Sequence, residues 1–477
     1  MSGQRVFNSK KDHLSKTIAV GFLITLVFTA LAHGAVEPWS VFIFELMIVV
    51  LLVLWSIKVL ADRTLKVNIP SLILPVAALA LLGLVQSIAF TDSTGRWVSL
   101  SKNVGFTRAA VTVVVFVLIS FVIAANFFSS RGRLGALANF LVVYGLAMAL
   151  FGLVQHFSWN HRFYWLRPTE VTNPFGPFAN HNHFAGYMEL LIALPIAMIL
   201  TRAVKGELRL LFGFAAAVMG LATALSLSRG GIISIGAGLM FLLFMSVRLP
   251  KRSRGSSRFK ISPAVSQAAV IVVLIATIAG GLLWMGADPV IKRVTEGQAA
   301  AAGDPKETFF SSRGWVWRDT FTMIRANPVF GVGLGAYETA FSIYTKSDGS
   351  LRVPQAHNDY LQIVADCGIP GAIIAIWFIV LLFRAVIRGS RSRDPLYAGV
   401  ALGCGAGAFA MLVHSLFDFN LQVPSNALLF LLLSAVAVRV AAVVEASEGA
   451  TPSAFQRDLT KIETESVSAA RLARGAL

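Results

Sequence analysis

Residues 356–389 read AHNDYLQIVADCGIPGAIIAIWFIVLLFRAVIRG, a polar segment that runs directly into an apolar one. Asn358 has a side chain suited to cap a helix start, and Gly368 is the residue type that typically ends a helix. The stretch therefore predicts a short helix that ends at Gly368, followed by a membrane-spanning helix over 371–389. His357 would lie at the start of the short helix, just outside the membrane.

The whole chain has the composition of a protein with many membrane spans. Of its 477 residues, 56% are hydrophobic and 14% are charged, a balance that excludes an ordinary soluble domain. Apolar runs that can cross a bilayer recur along it and predict an all-α polytopic membrane protein with about twelve transmembrane helices. The predicted spans are 17–36, 39–60, 70–90, 109–127, 135–156, 184–203, 207–227, 230–247, 263–285, 371–389, 396–417 and 425–444.

The basic residues predict which ends of these spans face the cytoplasm. The formal net charge is +17, and lysines and arginines cluster in alternate connections, most densely over 248–260. With about twelve spans and both termini cytoplasmic, all of these connections share the inner side, as the positive-inside rule requires. The run over 248–260 is interpreted as a loop that meets anionic lipid, and no nucleic-acid partner is expected.

These assignments divide the chain into five parts. The predicted parts are a cytoplasmic N-terminus (1–16), transmembrane helices one to nine (17–285), an outer loop subdomain with short helices (286–370), transmembrane helices ten to twelve (371–444) and a cytoplasmic tail (445–477).

Three arginines on the outer face are candidate phosphate ligands. Arg229 lies in a Ser-Arg-Gly-Gly turn between spans seven and eight, and Arg313 and Arg318 lie in the outer loop. A guanidinium stays charged and binds phosphate oxygens in a bidentate manner, and neighbouring glycines let backbone N–H groups approach the same anion. The alternatives are a snorkelling interfacial arginine for Arg229 and, for Arg318, an ion pair with Asp319 or stacking on a tryptophan.

His357 is the candidate general base. A helix N-terminus disfavours a positively charged imidazole, so a neutral ring that can accept a proton from a hydroxyl is expected there. The same helix end attracts anions. The alternative is a histidine that only caps or bridges the loop.

Two further polar groups lie at span ends on the same face. Asn180 and His181 to His183 open span six and are candidates for the lining of a substrate cavity. His181 and His183 point in different directions on a helix, and no cysteine or carboxylate cluster completes a metal site, so no metal is expected. His414 and Asp418 end span eleven, and their i, i+4 spacing predicts a side-chain pair.

Together these residues resemble the O-antigen ligase and polymerase superfamily of bacterial membrane glycosyltransferases. The ligase signature is a histidine, then asparagine, serine or glutamine, nine residues, a glycine, two residues, and glycine, threonine or tyrosine. His357, Asn358, Gly368 and Gly371 fit every position of it. The Ser-Arg-Gly-Gly turn and the segment 313–318 also resemble that family, in the expected order.

The resemblance implies a GT-C type glycosyltransferase of the bacterial inner membrane, with its active site facing the periplasm and no cofactor. It implies metal-independent, inverting transfer of a glycan from undecaprenyl diphosphate to a sugar hydroxyl of lipid A–core. His357 would activate the hydroxyl, and Arg229 and Arg313 would hold the leaving diphosphate. Two alternatives stay open: a polymerase whose acceptor is a lipid-linked glycan, and a transporter of lipid-linked sugar.

The other candidate substrate contacts are Arg318, Asn358, Asn180, His181, His183, His414 and Asp418.

Overall fold

A computed structural model of the chain describes residues 2–65, 67–91, 93–169, 174–247, 309–345 and 352–449. These residues form thirteen α-helices, two short antiparallel hairpins and one 3-10 turn. The helices are α1 (Ser2–Leu31), α2 (Pro38–Asp62), α3 (Ile73–Gln86), α4 (Val104–Phe127), α5 (Arg131–Phe157), α6 (His181–Leu200), α7 (Leu208–Leu225), α8 (Arg229–Val247), α9 (Phe309–Ala326), α10 (Tyr337–Tyr344), α11 (Asp359–Ser390), α12 (Pro395–His414) and α13 (Pro424–Gly449). The hairpins pair β1 (Ala89–Thr91) with β2 (Trp97–Ser99) and β3 (Arg162–Phe163) with β4 (Arg167–Pro168), and the 3-10 turn covers Asn420–Gln422.

Ten of the described helices are long and apolar enough to cross a membrane, namely α1, α2, α4 to α8 and α11 to α13. The predicted all-α polytopic fold is therefore confirmed. Of the two other predicted spans, 263–285 lies outside the described residues, and 70–90 corresponds to the shorter apolar helix α3. Fourteen residues of helix rise about 21 Å, which is less than the roughly 30 Å of a hydrocarbon core.

The last residue of α3, Gln86, anchors the end of this short helix. Its buried amide nitrogen donates to the carbonyls of Phe330 (2.6 Å) and Asp366 (2.8 Å), and its amide oxygen accepts from the N–H of Leu334 (2.9 Å). A buried amide is stable when both of its ends are bonded. The end of α3 is therefore held against both the segment between α8 and α11 and the first turns of α11.

Helices α6, α12 and α13 are the most buried of the spans and form the centre of the bundle. Glycines four residues apart bring α12 against α6: a Cβ on Gly403 would lie 2.7 Å from the Cα of Leu194, and one on Gly407 would lie 2.5 Å from the carbonyl oxygen of Leu190. Small residues let transmembrane helices pack backbone to backbone. The Gly- and Ala-rich sequence around Cys404 therefore packs closely against α6.

Helix α11 consists of two helices joined at a break. The Oδ1 atom of Asn358 accepts from the N–H groups of Tyr360 (2.9 Å) and Leu361 (3.0 Å), which caps the first helix. Gly368 has φ +60° and ψ −155°, a backbone conformation that residues with a Cβ rarely adopt. The short helix, the break and the following span predicted from 356–389 are all present.

The described part of the segment between α8 and α11 has a small apolar core of its own. Its buried side chains include Val316, Met323, Val332, Tyr337 and Phe341. Helices α9 and α10 are short helices of the kind predicted for the outer loop, and the glycine-rich turn over 331–335 lies between them, with positive φ at each of its three glycines.

The ends of the spans define two faces of the bundle. On the site face, the end of α12 meets the starts of α6, α8 and α11. On the opposite face, Arg131 at the start of α5 pairs with Asp394 before α12 (2.6 Å), and Arg388 near the end of α11 pairs with Glu445 in α13 (3.5 Å). The connections next to these helix ends are rich in basic residues, and the positive-inside rule predicted that they face the cytoplasm.

We expect Gly368→Ala to lower the thermal stability of the protein. Alanine in a left-handed conformation costs about 1–2 kcal/mol, and its Cβ would lie 2.4 Å from the carbonyl oxygen of Val329. Unfolding in detergent, followed by tryptophan fluorescence, measures the effect. Gly213→Ala is the matched control, because a Cβ there meets nothing within 4 Å. Equal melting temperatures for Gly368→Ala and the wild type would contradict the expectation.

Candidate active site

Asp418, in the turn after α12, is the centre of the site. Its side chain is 1% exposed. Oδ1 lies 3.2 Å from Nδ1 of His357, Oδ2 accepts from Nδ2 of Asn182 (2.6 Å), and Nη2 of Arg313 lies 3.8 Å from Oδ2. One buried carboxylate therefore joins the start of α6, the start of α9 and the residue that precedes the cap of α11.

These partners decide the ionisation of Asp418. Burial alone raises the pKa of a carboxyl group, but the hydrogen bond from His357 and nearby positive charge, including that of Arg313, outweigh it. Together they hold the pKa of Asp418 well below its usual range, so the group is an anion at neutral pH. Burial in turn lowers the pKa of Arg313, and the charge of Asp418 opposes that shift.

The backbone around His357 is held in an unusual conformation. His357 has φ +51°, which is uncommon for a residue with a Cβ. The residues that follow fix it to the turn after α12: Nδ2 of Asn358 donates to the carbonyl of Leu416 (3.1 Å), and the N–H of Asp359 donates to the carbonyl of Ser415 (2.9 Å). Strained backbone of this kind is concentrated at functional sites, and here it directs the imidazole toward Asp418.

One ring nitrogen of His357 contacts a carboxylate, and the side chain as a whole is partly exposed. Nδ1 faces the carboxylate of Asp418, and the ring packs edge-on against Phe419 with the centroids 5.0 Å apart. The side chain is 30% exposed. When a carboxylate accepts the Nδ1–H bond, Nε2 carries the lone pair that can accept a proton. The arrangement is that of a histidine base whose orientation is fixed by a carboxylate.

Arg313 lies beside this pair, and Arg229, another predicted phosphate ligand, lies at the start of α8. Arg313 donates through Nη1 to the carbonyl of Phe417, the residue before Asp418. Arg229 is the first residue of α8, and Oγ of Ser228 accepts from the N–H of Gly231 (3.1 Å). The first N–H groups of a helix and an arginine at that position both favour an anion.

Gly230 brings the start of α8 against the end of α12. A Cβ at Gly230 would lie 2.7 Å from Nε2 of His414, so only a glycine fits there without a shift of the imidazole. His414 and Glu189 of α6 are both fully buried, and Nδ1 of His414 lies 3.1 Å from Oε2 of Glu189. The predicted pairing of His414 with Asp418 is therefore wrong. Glu189, a buried carboxylate inside a span, bonds the imidazole of His414. Asp418 bonds the imidazole of His357 instead.

The start of α6 also contributes residues to the site, and their contacts were predicted only in part. Asn180 caps α6 by accepting from the N–H of Asn182 (2.9 Å), and Asn182 in turn bonds Asp418. The ring of His183 packs edge-on against Phe419 (4.8 Å), which therefore contacts this imidazole and that of the predicted base. Asn182 belongs to the 180–183 segment predicted to line a substrate cavity, but its bond to Asp418 was not predicted.

Two candidates lie away from Asp418. His181 lines a separate cavity of about 200 Å³ together with His156 and Trp159. The side chain of Arg318 is 62% exposed and donates through Nε to Oδ1 of Asp319 (3.0 Å). The ion pair with Asp319, predicted as an alternative to phosphate binding by Arg318, is thus present.

Comparison with protein families gives a match for residues 214–376, to the family described as O-antigen ligase. The matched segment contains Arg229, Arg313 and His357, and it ends before Asp418. Comparison with curated proteins gives no match. The predicted resemblance to the O-antigen ligase and polymerase superfamily is confirmed. Together with the ten apolar spans, the match supports a multi-pass membrane glycosyltransferase of the O-antigen ligase or polymerase type.

We expect Asp418→Asn to destabilise the protein in a pH-dependent way. Because folding lowers the pKa of Asp418, its contribution to stability is complete above the unfolded pKa of about 3.9 and is lost as the pH falls through the folded pKa. The wild type should therefore melt above Asp418→Asn at pH 5, and the margin should shrink as the pH falls below about 4. Melting curves of both proteins in detergent test this, and a margin that widens with acid would contradict it.

Proposed function

We propose that this chain, whose residues 214–376 match the O-antigen ligase family, transfers a glycan from undecaprenyl diphosphate to a sugar hydroxyl of lipid A–core. The reaction would take place at the periplasmic face of the bacterial inner membrane. The observation that carries the proposal is the His357–Asp418 pair with Arg313 beside it. Transfer to a hydroxyl needs a base for the nucleophile and cations for an anionic leaving group, and these groups adjoin here.

In the proposed reaction, Nε2 of His357 removes the proton of the acceptor hydroxyl. Asp418 accepts the Nδ1–H bond, keeps the ring in the required tautomer and stabilises the imidazolium that forms. The lowered pKa of Asp418 supports this role, because the carboxylate stays ionised at neutral pH. Asn182 fixes the other carboxylate oxygen, which orients the acid toward the imidazole.

The leaving group is the diphosphate of the lipid carrier. The hydroxyl oxygen bonds to the anomeric carbon while the bond from that carbon to the diphosphate oxygen breaks and its electron pair leaves with the diphosphate. A single displacement of this kind inverts the anomeric centre. Arg229, Arg313 and the first N–H groups of α8 would bind the negative charge as it develops. The family resemblance implies a metal-independent transfer, in which these arginines would supply the positive charge.

Two related functions differ from this one in defined ways. A polymerase would use the same base and cations, and its acceptor would be a lipid-linked glycan. A transporter of lipid-linked sugar would also need many spans and arginines, but it would not need a base oriented by a carboxylate. The His357–Asp418 pair therefore favours transfer over transport.

The proposal is tested with the purified full chain in nanodiscs, supplied with undecaprenyl-diphosphate glycan in the presence or absence of lipid A–core. We expect the mass of lipid A–core to grow by the glycan, with no lengthening of the glycan when the donor is alone. Lengthening with the donor alone would instead identify a polymerase. In proteoliposomes, movement of donor across the bilayer without a new glycosidic bond would identify a transporter.

In the same assay, His357→Ala should lower transfer about 10²–10⁴-fold, the usual contribution of a general base, and should still bind the donor. His13→Ala is the control, since His13 is an exposed histidine in the first half of α1. Wild-type transfer by His357→Ala would exclude the proposed mechanism.

Arg229→Lys should also lose activity, because lysine keeps the charge but cannot make the bidentate contact with phosphate. A charged hydrogen bond is worth about 1.5–3 kcal/mol, so we expect a loss of about tenfold to a hundredfold in kcat/KM for the donor. Steady-state kinetics with varied donor measure it. Arg202→Lys, in the connection between α6 and α7, is the control and should behave as the wild type. Unchanged kinetics for Arg229→Lys would argue against the diphosphate role.

A further inference from the structure

The cavity of about 200 Å³ that His181 lines lies where the end of α5 meets the start of α6 and the turn between α7 and α8. We propose that this cavity binds one pyranose ring of a saccharide substrate. The inference rests on the proposed function and deepens it, because it names the part of the protein that recognises sugar.

The lining of the cavity combines aromatic rings with uncharged polar groups. The rings and polar atoms among its described residues belong to Trp159, His156, Phe175, Gln155, His181 and Ser226. None of the described lining residues is a lysine, an arginine or an acid. A hydrocarbon chain would leave the polar atoms unbonded, and a phosphate would lack its usual cation. A sugar ring suits this lining, because its C–H face packs on an aromatic ring while its hydroxyls bond the polar groups.

The aromatic wall is held in place by contacts within the protein. His156 stacks on Phe175 with the ring centroids 5.1 Å apart. Phe175 is buried and packs in turn against Phe184 of α6 (4.6 Å). Gly176 has φ +54°, and a Cβ there would lie 3.2 Å from the ring of Phe184, so a glycine is required at this close approach. A ligand therefore meets rings that are already ordered, which reduces the entropic cost of binding.

The two buried polar groups of the lining keep hydrogen-bonding capacity for a ligand. With both ends of its amide bonded, Gln155 donates to the carbonyl of Gly176 (3.1 Å) and accepts from the N–H of Tyr164 (3.2 Å). Oγ of Ser226 donates to the carbonyl of Thr223 (2.7 Å). The second amide N–H of Gln155 and a lone pair of the Ser226 hydroxyl are additional to these bonds, and sugar hydroxyls can use both.

The cavity reaches the surface on the site face. Arg131 at the start of α5 belongs to the opposite face, so the end of α5 lies on the site face. There His156 is exposed, and Trp159 and His181 are half-buried. The volume of about 200 Å³ is that of about seven water molecules at roughly 30 Å³ each. It therefore has room for one sugar ring and not for a chain of them.

The chain connects this cavity directly to the groups of the proposed reaction. Leu227 lines the cavity two residues before Arg229, so their Cα atoms are at most about 7.6 Å apart. His181 lines it as well, and the next residue, Asn182, bonds Oδ2 of Asp418 (2.6 Å). A ring in the cavity therefore adjoins both the Arg229 turn and the helix start that fixes Asp418. The sugar that carries the diphosphate and the sugar that accepts the glycan both have to reach this region, and experiment separates these two sources of the ring.

The first test measures the modification of His156 by diethyl pyrocarbonate in the full chain in nanodiscs, read by mass spectrometry of its peptides. The probes are undecaprenyl-diphosphate glycan, undecaprenyl diphosphate without sugar, and the oligosaccharide released from lipid A–core. At about ten times its Kd, a saccharide that fills the cavity should slow the modification about tenfold. The exposed His13 is the internal control and should react at an unchanged rate.

Protection of His156 by the lipid-linked glycan assigns the ring to the donor, and protection by the oligosaccharide assigns it to the acceptor. Protection by the sugar-free carrier equal to that by the glycan, or no protection by either saccharide, would overturn the inference.

The second test removes the aromatic ring in Trp159→Ala and keeps one in Trp159→Phe. Trp159→Ala should raise the KM for the saccharide that protects His156 by about tenfold, equivalent to about 1.4 kcal/mol, with kcat unchanged. Trp159→Phe should restore most of the loss. Trp97→Ala is the matched control, because Trp97 is 77% exposed and does not line the cavity. Melting temperatures show whether the variants fold, and a folded Trp159→Ala protein with the wild-type KM for both substrates would contradict the inference.

Failure of the proposed function gives a different result from failure of the sugar site. Protection of His156 needs no turnover, so a wild type that transfers no glycan would refute the proposed function and leave the protection result readable. A wild type that transfers glycan, with no protection of His156 by either saccharide, would refute only the sugar site.

Discussion

The carboxylate of Asp418 is the constraint on which the rest of the site depends. Removing a carboxylate from water costs several kcal/mol unless hydrogen bonds and opposite charge replace the lost hydration. The replacements are Asn182, Arg313 and His357, which belong to three segments far apart in the chain. The contacts that stabilise the buried charge of Asp418 therefore also bring the proposed catalytic groups together. Loss of any one partner leaves part of that charge uncompensated.

Close helix packing supplies the framework in which this carboxylate is buried. The glycines of α12 bring it against the backbone of α6, and Glu189 of α6 holds His414 at the end of α12. Gly230 then brings the start of α8, and with it Arg229, against His414. Small residues at helix contacts leave little freedom for sliding, so the position of the arginine follows from contacts made by glycine.

Structural features that depend on residues close together in the sequence could be predicted from it. The long apolar runs, the Asn358 cap and the break at Gly368 were all expected, and all are present. The motifs around Arg229, Arg313 and His357 also indicated the family that residues 214–376 match. The length of α3 was not predicted, because Gln86 ends it with bonds to residues more than 240 positions away in the chain.

By itself the sequence determined the all-α polytopic class of the protein, the ten described helices that are long and apolar enough to cross a membrane, and the residue types available for chemistry. Capping and glycine breaks act over one or two helical turns and the hydropathy of a span over roughly 20 residues, so each can be recognised within one continuous stretch of sequence. Only the tertiary structure decided which buried polar groups pair: His414 with Glu189, and Asp418 with His357, Asn182 and Arg313. Sequence spacing favoured a different pair. In a low-dielectric interior each charge bonds the partners that helix packing brings within reach, and that depends on which helix ends meet.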